Sequence, residues 1–104
     1  MRQIILAAAI LCAVPASADE ASVNNAFALC SIIDNTGLVS APCEVSGWNS
    51  SVTAVIDMTS GEARDVCGKI ANMMREKGRT FADGWTLQIK SPYSGDNAIA
   101  FCKL

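Results

Sequence analysis

The sequence between residues 59 and 78 reads TSGEARDVCGKIANMMREKG, and it holds a complete helix with both of its boundary signals. Thr59 and Glu62 have the spacing of a capping box, in which each side chain bonds a backbone amide left free at the helix start. Gly78 follows as a C-terminal cap. The apolar residues between these signals recur at helical spacing: Ala63, Val66, Cys67, Ile70 and Met74. The stretch therefore predicts an amphipathic helix over 60–77 with Cys67 facing the core.

Two pairs of strands flank this helix in the sequence. Before it, residues 43–46 alternate between apolar and polar, and residues 47–50 favour a turn. Residues 52–58 alternate again, with Val52 and Ile56 on the apolar side. After it, residues 85–89 alternate between apolar and polar, and residues 92–96 have the composition of a turn. Residues 97–103 then form the second strand of the pair. Each pair predicts a β-hairpin.

A further helix is predicted over 21–35, ahead of the first hairpin. Its apolar residues again have helical spacing, with Cys30 among them, and Gly37 is its expected cap. The order of elements is then α-β-β-α-β-β. This order is typical of an α+β fold with two helices packed on one face of a four-stranded, mainly antiparallel sheet.

The first 18 residues have the features of a cleaved signal peptide. Arg2 gives a positive start, residues 4–14 are apolar, and Ala16-Ser17-Ala18 has the small-x-small form of a cleavage site. The apolar run is about half of the roughly 20 residues that a membrane-spanning helix needs. We therefore expect export to the periplasm or the medium of a bacterium, no stable membrane insertion after cleavage, and a single small domain over 19–104.

Four cysteines remain in that domain: Cys30, Cys43, Cys67 and Cys102. An even number in a short exported chain predicts two disulfide bonds, for which three pairings are possible. We prefer Cys30 with Cys43 and Cys67 with Cys102, although the sequence does not decide between the three. No C-x-x-C is present, which argues against a zinc site and against a thioredoxin-like redox motif.

The composition also restricts the function. The chain contains no histidine, which excludes nucleophilic systems that use an imidazole as general base. The formal net charge is −2, and loss of Arg2 with the leader makes the domain more acidic, so a nucleic-acid partner is not expected. We predict a protein that is not an enzyme and that needs no cofactor and no metal.

Candidate binding residues lie in the two hairpin turns. An exposed aromatic residue on a polar turn is a typical recognition anchor, and the chain places Trp48 in one turn and Tyr93 in the other. Alternatively, Trp48 folds back onto a sheet edge, which we favour, and Tyr93 packs over Pro92, which stays open. The candidates for binding are Trp48, Pro92, Tyr93, Ser94 and Asp96.

The last strand carries apolar residues on both sides. If Cys102 points inward, then Ile99 and Phe101 point outward, beside Val55, and these three are candidates for an interface between two copies in a homodimer. Alternatively, and this is the interpretation we favour, the first helix crosses to cover this face or the strand simply carries a few unpaired apolar residues.

These patterns favour a non-enzymatic binding module, or an inhibitor of an exported protein, whose unknown protein partner lies in the envelope or the medium. The alternatives are a self-assembling structural protein that uses the outer sheet face, and a small secreted toxin or effector.

Overall fold

The computed structural model describes the backbone of residues 4–104 and the side chains of residues 20–104. The predicted leader, residues 1–18, lies outside the residues whose side chains are described. The elements, in chain order, are α1 (Ile4–Asn35), β1 (Val39–Ser46), β2 (Ser51–Ile56), α2 (Ser60–Glu76), β3 (Thr86–Lys90) and β4 (Ala98–Lys103). The predicted order of elements is confirmed.

The four strands form one sheet in the order β1-β2-β3-β4. β1 pairs antiparallel with β2, and β3 pairs antiparallel with β4, as the two predicted hairpins require. The two hairpins join through β2 and β3, which are parallel. Parallel neighbours need a crossover connection, and α2 provides it.

One face of the sheet packs against both helices. Alternate residues on the central strands are buried there, among them Val52 on β2 and Leu87 on β3. α1 contributes Leu29 to this core and α2 contributes Met74. α1 packs over β1 and β2, while α2 packs over β4 and β3. The predicted arrangement, with two helices on one face of a mainly antiparallel sheet, is therefore confirmed.

The two disulfide bonds join each edge strand to the helix that packs on it. Cys30 of α1 pairs with Cys43 of β1, with a Cα–Cα distance of 5.2 Å. Cys67 of α2 pairs with Cys102 of β4, with a Cα–Cα distance of 6.0 Å. The preferred pairing is confirmed, and neither edge strand can leave the sheet without carrying its helix with it.

The signals at both ends of α2 act as the sequence predicts. The Glu62 amide donates to Thr59 Oγ1 at 3.2 Å, and the Thr59 amide donates to Glu62 Oε1 at 3.0 Å. The bonds from the Thr59 backbone and then its hydroxyl lower the pKa of Glu62, because both favour the ionised carboxylate. This contribution to stability is present above the ordinary pKa of Glu62 and is lost as the pH falls through the lowered value. At the other end Gly78, with φ of +75°, closes the helix.

Some boundaries differ from the predicted ones. α1 begins at Ile4 and β1 at Val39, each earlier than expected, whereas β2 ends at Ile56. β1 contains Pro42 and two register irregularities against β2, so its sequence lacks the strict alternation by which strands are recognised. Within the described part of the chain, no helix combines the length and apolar character that crossing a membrane requires.

Candidate functional site

The loop between β3 and β4, residues 91–97, consists of two successive turns. The Ser94 amide donates to the Ser91 carbonyl, and the Asn97 amide donates to the Ser94 carbonyl, each at 3.1 Å. Gly95 lies between them with φ of +63°, a left-handed conformation that glycine adopts without strain. The chain therefore reverses direction over seven residues, and backbone hydrogen bonds within the loop hold the two turns.

Two serine hydroxyls fix this loop further. Ser94 Oγ accepts from the Ser91 amide at 3.0 Å and lies 2.7 Å from the Asn97 carbonyl, to which it donates. Ser91 Oγ accepts from the Tyr93 amide at 3.0 Å. The backbone on both sides of Tyr93 is thus held by local hydrogen bonds, and Ser94 connects the first turn to the second.

Tyr93 is the most prominent side chain of this loop. It is 83% exposed, so its ring is not packed over Pro92 as the alternative required. Pro92 and Asp96 are exposed as well, whereas Ser94 is half-buried because its hydroxyl faces into the loop. The loop presents an aromatic ring, a proline and a carboxylate to solvent on an ordered backbone.

Trp48 lies in the turn between β1 and β2 and is 97% exposed. We favoured its packing against a sheet edge, and that interpretation is wrong. The turn is ordered by the Asn49 amide, which donates to Ser46 Oγ at 3.1 Å, and by a left-handed Ser50 with φ of +52°. This turn directs the indole away from the sheet.

The two aromatic turns lie at opposite ends of the sheet. The turn with Trp48 precedes β2, the loop with Tyr93 follows β3, and these two strands are parallel with Ser51 beside Thr86. At about 3.3 Å per residue, strands of this length separate the two turns by about 17 Å. The fold therefore does not bring Trp48 together with residues 92–96, and the candidates divide into two sites.

The outer face of the sheet does not assemble the three interface candidates into one patch. Lys90 stands between Val55 and Ala98 in the register, and Gln88 stands beside Phe101. Phe101 is 74% exposed and points outward.

Ile99 departs from the expected position beside Phe101. The register of β3 against β4 passes from Ala100 to Ala98, which leaves Ile99 as an extra residue in a bulge. Its side chain is half-buried and packs against the core. The Phe101 ring is thus exposed at the β4 edge of the outer face, with Gln88 beside it in the register.

Comparison with protein-family models, curated proteins and solved structures found no match to this chain. The local geometry therefore carries the functional argument. Among the residues that the structure describes, no group of three or more metal-ligating side chains comes together.

Sequence reasoning missed a concave region at the same end of the sheet as Trp48. There the segment 81–86 and the end of β4 enclose a cavity of about 330 Å³. The only local signal was the pair of aromatic residues Phe81 and Trp85 in a glycine-containing loop, whose ring centroids lie 5.7 Å apart. The other wall comes from residues near position 103, so the sequence could not indicate the enclosure.

Proposed function

We propose that this protein is an exported, non-enzymatic binding module that docks on a partner protein through the loop 91–97, with Tyr93 as its anchor. The single observation that carries the proposal is a highly exposed tyrosine on a loop whose backbone is already fixed by Ser91 and Ser94. A preordered loop loses little conformational entropy on binding, and a tyrosine buries a large area with few rotatable bonds.

The strands and the disulfide bond that hold the loop support its role as a binding site. Both ends of the loop enter strands, β3 at the centre of the sheet and β4 at its edge. The Cys67–Cys102 bond fastens β4 to α2, which limits how far the loop can shift when a partner presses on it. Two disulfide bonds also fit an oxidising location such as the periplasm or the medium.

The most concrete form of this function is inhibition of an exported hydrolase or another envelope protein. A protruding turn can enter the cleft of a partner, and Pro92 and Asp96 would then contact its rim beside the Tyr93 ring. The outer sheet face supports self-assembly less well, because Gln88 and Lys90 interrupt its apolar residues.

The test is a capture experiment with matched variants. The oxidised protein without the predicted leader, residues 19–104, is immobilised, envelope and secreted fractions of the native host are passed over it, and the affinity of any retained protein is measured. We expect Tyr93→Ala to weaken binding by about 30-fold or more, as truncation of a hot-spot residue does. Trp48→Ala should leave the affinity unchanged, because Trp48 lies at the opposite end of the sheet.

Circular dichroism of each variant serves as the control for folding. Reduced protein serves as the control for the contribution of the two disulfide bonds. Unchanged affinity of the folded Tyr93→Ala variant would refute the assignment of the site. Equal losses for Tyr93→Ala and Trp48→Ala would point to non-specific adhesion of exposed aromatics.

A further inference from the structure

β4 forms one edge of the sheet, and part of its backbone points away from the other strands. The Leu104 amide donates to the Trp85 carbonyl at 3.0 Å, and along two antiparallel strands such bonded pairs alternate with pairs that are not bonded. In the register of β3 with β4, Phe101 and Lys103 are therefore the positions whose amides and carbonyls point away from β3. The Lys103 carbonyl agrees with this direction, because it accepts from Arg75 of α2 at 3.2 Å.

The opposite edge, β1, is protected against the addition of a further strand. Pro42 lacks an amide donor, and the Cys43 amide donates to Asp34 Oδ1 of α1 at 2.9 Å. Two register irregularities against β2 also distort this strand. β4, in contrast, pairs regularly with β3 from Ala100 to Lys103. β4 is therefore the edge that can accept another strand.

One side of α2 borders the β4 edge and carries two arginines. Arg64 lines a groove together with residues 98–101 of β4, and Arg75 contacts the Lys103 carbonyl. Gly68 lies between the two arginines on the same side of the helix, and we call this side the arginine stripe. The acidic residues of α2 fall outside it, and they are Glu62, Asp65 and Glu76. The stripe is cationic although the whole chain has a formal net charge of −2.

The space beside β4 has room for an added strand. The groove between Arg64 and residues 98–101 has a volume of about 240 Å³. A Cβ added at Gly68 would meet no atom within 4 Å, so the middle of the arginine stripe is open. On the outer face of the sheet, the exposed Phe101 ring stands at the same edge. An added strand would therefore have arginines on its helix side and an aromatic ring on its outer side.

From this arrangement we infer that the edge of β4 binds an extended acidic segment of a partner protein by β-strand addition. The backbone of the segment pairs with Phe101 and Lys103. Successive side chains of a strand alternate between its two faces, so acidic residues on the helix side meet Arg64 and Arg75, while apolar residues on the other side cover the Phe101 ring. The recognised pattern is an alternation of acidic and apolar residues. This surface does not include Tyr93, and the inference does not rest on the function proposed for its loop.

A second copy of the chain fits this edge less well than an acidic segment. Two β4 strands that pair antiparallel about Phe101 bring the α2 helices of both copies side by side. The arginine stripe of one copy then faces that of the other, and repulsion between like charges opposes the contact. An acidic segment neutralises the same arginines, so charge complementarity favours it over the second copy.

The test uses a blocked peptide of about seven residues that alternates glutamate and valine, which is long enough to span β4. The peptide is titrated into the oxidised, isotope-labelled protein without the predicted leader, residues 19–104, and the amide shifts are followed by NMR. We expect a Kd below about 1 mM, with the largest shift changes at the amides of Phe101 and Lys103. A peptide with lysine in place of glutamate should bind at least about tenfold more weakly, because it repels the arginine stripe.

Variants separate the contribution of the charges from that of the backbone. Arg64→Gln and Arg75→Gln should each weaken binding about threefold, as expected for exposed ion pairs. Lys69→Gln removes a positive charge from an exposed position of α2 outside the arginine stripe and should leave the affinity unchanged. Phe101→Pro removes an amide that points away from β3, so it should weaken binding about fivefold more than Phe101→Ala, which keeps the amide. Circular dichroism checks the fold of each variant.

Three results would overturn the inference. The first is no binding of the glutamate peptide at about 10 mM. The second is equal binding of the lysine peptide, or equal affinities of Phe101→Pro and Phe101→Ala for the glutamate peptide. The third is a dimer in sedimentation that Phe101→Pro dissociates, since a second copy of the chain would then fill the edge.

Discussion

Replacement of Cys67 and Cys102 together by alanine is expected to lower the free energy of unfolding by about 4 kcal/mol. The two cysteines lie 35 residues apart in the sequence, so their bond removes a large amount of conformational entropy from the unfolded chain. In the folded state the same bond fastens the edge strand β4 to α2. A loss of this size is a large share of the roughly 5–15 kcal/mol by which a domain is stable.

The matched control is the other disulfide. Cys30 and Cys43 lie 13 residues apart, and replacement of both by alanine is expected to cost about 3 kcal/mol because the closed loop is shorter. Urea unfolding followed by circular dichroism measures both values. A loss below about 1 kcal/mol for the longer bridge would mean that the disulfide is not what holds β4 in place.

Leu87→Ala should destabilise the protein by about 2–5 kcal/mol. Leu87 is 0% exposed and lies on β3, between Val52 of β2 and Cys102 of β4 in the register. Its side chain occupies the centre of the helix-covered face. Truncation therefore removes apolar contacts with the two neighbouring strands and with α2, and it leaves a cavity that the disulfide-linked strands and helices cannot collapse to fill.

The control for Leu87 is an apolar residue on the opposite face of the sheet. Val55 on β2 is half-buried and faces away from the helices, so Val55→Ala should change the free energy of unfolding by less than about 1 kcal/mol. The same urea unfolding measurement compares the two. Losses of similar size would contradict an open outer face and would mean that something covers it.

Local signals in the sequence were enough for most of the fold. The capping box at Thr59 and Glu62 and the glycine at position 78 fix where α2 begins and ends. Helical spacing placed Cys30 and Cys67 on the buried faces of the two helices, but the sequence left the pairing open, and the structure joins them to Cys43 and Cys102 on the strands. These features depend on neighbouring residues and on which side of an element faces the core.

Features that depend on distant residues were not predicted. The parallel pairing of β2 with β3 follows from how the two hairpins dock, which no local pattern encodes. The bulge at Ile99 is a property of the β3–β4 register. The cavity lined by Phe81 and Lys103 joins segments about twenty residues apart in the chain. Packing of Trp48 on a sheet edge was the favoured prediction, but the ordered turn keeps the side chain exposed.

Docking through Tyr93 requires above all that the loop 91–97 is ordered before any partner binds. Backbone NMR order parameters for residues 91–97 of the oxidised protein measure this directly, with Ser94→Ala as the comparison. We predict values of about 0.85, the level of a rigid backbone, and a fall to about 0.6 when the Ser94 hydroxyl is removed. Values below about 0.6 in the unaltered protein would contradict the proposal that Tyr93 is presented on a preformed loop.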